Sequence, residues 1–206
     1  MKTNIAHGTA HERGVTLIVV LILLVVVTIL GVGGARIALL SERSTRFDRD
    51  YQVAWQAAEA ALIDAEYDIA GPNTGAAQRV NTFKPENIGL FSPTCGISAD
   101  TRGLCAHSET TIPIWTAVDF MNTSGNAPTV AYGEKTDFPF VTNTVGVQPS
   151  RKPRYIIEWV YDTRPGVDAQ IRPPGTPRPI LYRITSIGFG PNDQVQAMMQ
   201  STFARN

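Results

Sequence analysis

His107 follows Cys105 by a single residue, and these two types serve as nucleophile and base wherever the cysteine is free. His7 and His11 lie four apart, a spacing that brings two imidazoles together for a metal on one helix face, although both fall in the first fourteen residues. Asp64, Glu66 and Asp68 offer carboxylates at short range for acid–base work, but on a helix they read first as a solvated face. Asp162 and Asp168 supply oxygen ligands of the kind calcium takes, without the twelve-residue loop that organises them. Cys95 and Cys105 are the only two cysteines, too few for a structural zinc site and without Cys-x-x-Cys or His-x-x-x-His spacing. They read as a disulfide closing a loop of about ten residues, contributing roughly 2–3 kcal/mol. Oxidised, Cys105 is no nucleophile. No enzymatic activity, metal or cofactor is expected.

The elements that carry these residues begin with Val15–Ala35, 21 residues without a charge and with Thr16 and Thr28 as the only polar side chains. As a helix it is roughly 31 Å long, about the thickness of a bilayer's hydrocarbon core. From Arg36 the pattern changes. Ile37, Leu40, Ser44, Phe47, Tyr51, Ala54, Ala58, Leu62, Ala65 and Ile69 step by three and four, which predicts that the helix continues with one apolar face lying on the domain that follows. Gly71-Pro72 ends it, glycine by taking the left-handed cap and proline by forbidding resumption. One helix of about 55 residues results, and 206 residues leave room for one globular domain beside it.

Residues 71 to about 150 are dense in Gly, Pro, Asn and Thr, with short apolar runs at Val80–Phe83, Ile112–Val118 and Phe138–Val141; one or two short strands in a loop-rich region are expected. Tyr155–Tyr161 is rich in β-branched and aromatic residues. Leu181–Phe189 and Gln194–Phe203 form a hairpin across Gly190-Pro191-Asn192-Asp193, with Val195, Ala197, Met199, Ser201 and Phe203 on one face. The expected fold is α+β: a long N-terminal helix packed by its second half on a C-terminal antiparallel sheet.

Formal charge is zero, and loss of residues 1–14 removes Lys2, Glu12 and Arg13 to leave −1, so no nucleic-acid partner is expected. Basic residues near the apolar run give opposing signals. Arg36, Arg43, Arg46 and Arg49 outnumber Lys2 and Arg13, which favours a cytoplasmic C-terminal part; a disulfide favours an oxidising compartment. Glu42, Asp48 and Asp50 are interleaved with those arginines, and the reading follows the cysteines.

The Arg13-Gly14 junction, the uncharged run, Arg36, Leu40-Ser41-Glu42-Arg43 and Gln56–Glu66 resemble the N-terminal region of PilX-type minor pilins of type IV pili. Tyr182–Gly188 and Gln200–Phe203 are similar to that family's closing strands. The resemblance implies a prepilin leader, residues 1–14, cut between Gly14 and Val15; a plain signal anchor is the simpler alternative. It implies a helix over 15–70 that spans the inner membrane at 15–35, and a periplasmic head over 71–206 that later joins an extracellular pilus. Its partners would be the prepilin peptidase, the inner-membrane platform, the major pilin and other minor pilins.

Val19 stands where most pilins carry glutamate, a lack that PilX-like subunits share and that suits the filament tip. Gly31, Gly33 and Gly34 read either as a weak spot that melts on assembly or as a close helix-packing surface. The function implied is a minor pilin that helps to start pilus assembly. A type II secretion pseudopilin, or a single-pass protein with a periplasmic binding domain, are the alternatives.

Overall fold

The computed structural model describes residues 15–108, 112–141, 145–167, 173 and 175–205. Helix α1 runs unbroken from Val15 to Ala70. Gly71 closes it in the left-handed region at φ +73°, its N–H donating to Tyr67 O at 3.0 Å, as the Gly-Pro pair predicts. The chain divides into two units between Arg46 and Phe47.

In the first unit α1 is rich in Val, Ile and Thr, residues that lose side-chain freedom in a helix and disfavour it in water. In hydrocarbon that penalty is outweighed, because every backbone N–H and C=O must be satisfied within the segment and a helix does this alone. Thr28 follows the same rule, its hydroxyl donating to Val25 O at 2.8 Å. The side chains of Val15–Val32 are exposed throughout, and α1 is long and apolar enough here to cross a membrane.

The second unit builds one sheet from strands β1 (Leu104–Cys105), β2 (Val130–Ala131), β3 (Arg154–Tyr161), β4 (Ile180–Phe189) and β5 (Gln196–Phe203). β3, β4 and β5 are antiparallel neighbours. The far edge of β3 takes β1 in parallel at Ile157–Glu158 and β2 antiparallel at Arg154–Tyr155. The sheet is therefore mixed, where a wholly antiparallel one was expected. Strands of two residues carry no period, and neither short strand falls in the apolar runs that the sequence displays. Two of those runs instead form 3₁₀ turns, at Val80–Thr82 and Ile114–Thr116.

One sheet face receives α1. Ala54, Ala57, Ala58, Ala61, Leu62, Ala65 and Ile69 are buried, together with Tyr155, Ile157, Tyr182 and Ile184 from the strands. The alanines allow a close approach, and Gly188 on β4 completes it: a Cβ there would stand 2.0 Å from Ala54 O and 2.3 Å from Ala58 N. Ser186 Oγ, two residues earlier on the same face, donates to Ala58 O at 2.9 Å. Along β5 the expected face holds, with Val195 and Ala197 buried and Met199, Ser201 and Phe203 partly so. The opposite sheet face carries a second core, in which Ile156, Ile187 and Phe189 meet Cys95, Cys105, Ile114 and Phe120.

The apolar stripe of α1 does not reach as far as expected. Burial begins at Ala54, while Phe47 is 57% exposed and Tyr51 and Trp55 are exposed beside it. These three rings succeed one another every four residues, with centroids 6.4 Å apart at each step. Ile37 and Leu40, in the first unit, are exposed as well.

Candidate functional site

Of the residues singled out for chemistry, the carboxylates of α1 depart furthest from expectation. Asp64 and Asp68 are fully buried at 0% exposure, whereas Glu66 between them is partly exposed. Ala57, Ala61, Asp64 and Asp68 step by four, three and four, so both aspartates lie on the stripe that faces the head. That spacing was present in the sequence. Residue type argued for solvent, and position decided.

Each aspartate holds a different loop. Asp68 forms a buried ion pair with Arg79, Nη2 to Oδ2 at 2.7 Å and Nε to both oxygens at 3.1 Å, and accepts the Tyr155 hydroxyl at 3.0 Å. Arg79 also donates through Nη1 to Asp100 O at 3.1 Å and Arg102 O at 2.6 Å, so one guanidinium ties α1 to the turn between the cysteines. Burial pushes the Tyr155 phenol well above its ordinary range, and the Asp68 charge adds to this. Asp64 accepts the Gly133 N–H at 2.9 Å and bonds the Thr136 hydroxyl. Burial raises its carboxyl to about 6, against the opposing pull of those two bonds. Neither aspartate opens on a cleft where a substrate would meet it, and both act to position loops.

Cys95 and Cys105 form a disulfide with both residues fully buried. Cys105 belongs to β1, and Cys95 is bound back by the Gly103 N–H donating to its carbonyl at 2.7 Å, so the loop is fixed to the sheet at its base. The thiol of Cys105 is thus spent, and His107 instead lies with Nδ1 3.2 Å from Glu158 Oε1. Glu158 is buried and also accepts Arg183 Nη2 at 2.5 Å across the β3–β4 pair. Asp162 accepts Arg164 Nη2 at 2.7 Å, and Asp168 lies outside the described residues. Among the described residues no three His, Cys, Asp or Glu side chains converge as a metal would need. His7, His11 and Gly14 also lie outside them.

The other candidates line α1 in the first unit. Val15 opens the helix as described, and Val19 is 49% exposed on a segment with no charged residue before Arg36. Gly31, Gly33 and Gly34 sit in unbroken helix, and a Cβ on any of them would meet open space.

Two family models match this chain: PilX N-terminal over residues 13–62, and Type IV pilus assembly protein PilX C-term over residues 91–205. The chain belongs to the PilX family of type IV pilus assembly proteins. No curated protein and no solved structure matches it. The second match takes in the disulfide loop and β1 to β5, so the family covers much of the middle of this PilX-type minor pilin, where the sequence resemblance was confined to the two ends. The membrane-capable part of α1 suits anchoring in an inner membrane.

Proposed function

We propose that this PilX-family subunit is a minor pilin that helps to initiate pilus assembly and sits at or near the filament tip. The observation that carries the reading is Val19, an apolar residue five positions into a helix that is otherwise built for a packed apolar environment. Most pilins place a carboxylate there, which is thought to pair with the N-terminal amine of a neighbour. A subunit without it suits a place where no such pairing is required.

The leader is residues 1–14, and the prepilin peptidase cuts after Gly14 so that Val15 becomes the N-terminus with a methylated amine. Residues 15–35 hold the precursor in the inner membrane with the head in the periplasm, where an oxidising environment supports the Cys95–Cys105 bond. Partners are the major pilin, other minor pilins and the inner-membrane platform. Mass spectrometry of the N-terminal peptide from membrane-extracted protein tests the processing step: the expected species starts at Val15, and retention of residues 1–14 in cells with active peptidase contradicts it.

A further inference from the structure

At one end of the sheet, a cleft of about 400 Å³ opens between the Phe83–Pro85 segment, Pro179 and Ile180 at the start of β4, and Arg205 beyond β5. Its walls are Phe83, Pro85, Pro179 and Ile180, and its polar lining is Lys84, Tyr182 and Arg205. The lining therefore holds two cations and a phenol, and no carboxylate.

Tyr182 is 1% exposed, its ring set edge-on to Phe83 at 5.4 Å and stacked with Phe91 at 6.2 Å. Its side chain lines the cleft, and its hydroxyl makes no hydrogen bond among the described residues. Arg205 is held from one side only. Its Nη1 donates to Val80 O at 2.5 Å and Phe83 O at 2.6 Å, which fixes the guanidinium plane. Nε and Nη2 have no partner among the described residues, and these two donors form the parallel fork that a carboxylate accepts with both oxygens. Lys84 is exposed and makes no ion pair among the described residues. Glu86, on the following 3₁₀ turn, acts on Tyr182 in the sense opposite to Arg205, and it does not line the cleft.

We propose that this cleft binds a carboxylate borne on a flat apolar ring. Arg205 would donate to the carboxylate through its open fork, Lys84 would add charge from the rim and the Tyr182 hydroxyl would donate to it. The ring would lie between Phe83 and the prolines. The fork selects a planar anion, and the apolar walls select what carries it.

Benzoate is the probe, titrated into the full chain in detergent micelles with ¹³Cζ-labelled tyrosine and followed by NMR. A saturable shift of the Tyr182 signal is expected, with Kd on the order of millimolar for so small a ligand. Benzamide, the same ring without the charge, is expected to bind at least about tenfold more weakly. Lys84→Gln and Tyr182→Phe are each expected to weaken benzoate by roughly three- to tenfold, Tyr182→Phe being followed through ligand-detected saturation transfer. Tyr182→Phe keeps the ring packing and removes an unpartnered hydroxyl, so its melting temperature should not fall. Equal binding of benzamide and benzoate, unchanged affinity in both variants, or no saturation by 50 mM (roughly the top of the millimolar range) would each overturn the proposal.

Discussion

At Asp64 the folded head keeps a carboxyl group whose proton leaves only at about pH 6, against an ordinary value of 3.8. The sign follows from proton counting. Below pH 3.8 both folded and unfolded chains hold the proton, and the stability associated with it is fully present. As pH rises toward 6 the unfolded chain releases it first, so stability falls across that window and levels off above it. The span amounts to about 3 kcal/mol. Asp68, one turn along α1, adds to the rise, and Lys152 opposes it. Asparagine can reproduce the neutral acid, its Oδ1 accepting from Gly133 and its Nδ2 donating to the Thr136 hydroxyl. Asp64→Asn should therefore flatten the pH 4–6 part of the stability curve relative to wild type, and gain about 1–2 kcal/mol at pH 7. Urea denaturation of the full chain at pH 4 and pH 7 measures both; parallel curves for the two proteins would contradict the assignment. The disulfide was legible at this scale because two lone cysteines near one another leave few alternatives. The aspartates were not, because a carboxylate on a helix signals solvent unless its loop partners are known: Arg79 lies past the helix stop, and Gly133 and Thr136 lie far along the chain.

Among the elements, α1 and β4 approach closely at Gly188. Gly188→Ala would drive a methyl group into Ala54 O and Ala58 N, both backbone atoms that cannot turn aside. It should cost about 3 kcal/mol or more, while Gly89→Ala, whose added Cβ meets open space, should cost little. Thermal unfolding of the two variants side by side checks this. The disulfide gives a second comparison. Replacing Cys95 and Cys105 by serine should lower stability by roughly 2–3 kcal/mol and leave the helical signal of α1 unchanged.

The long helix, its stop at Gly71-Pro72, the β4–β5 hairpin and the alternation along β5 could all be read from period and turn chemistry. β1 and β2 fall in the loop-rich region where one or two short strands were expected, but their positions could not be read, because pairing with the far edge of β3 is what makes them strands at all. The stripe from Ile37 to Tyr51 has helical spacing and lies exposed. Period shows that a face is apolar; it does not say what covers that face.

On the scale of the whole molecule, the account turns on an absent charge. Buried without a carboxylate partner, a charged N-terminal amine costs several kcal/mol, and a filament built mainly of this subunit would repeat that cost at every interface. Few copies at or near the tip avoid it. Deleting the gene should lower the number of pili and leave the composition of the remaining shafts unchanged. On the proposed placement at the tip, where no amine lies above it, Val19→Glu should bring no gain. Quantitative mass spectrometry of sheared, purified pili tests this most directly. A few copies per filament, far below the major pilin, is the predicted result, and a copy number comparable to the major pilin would contradict it.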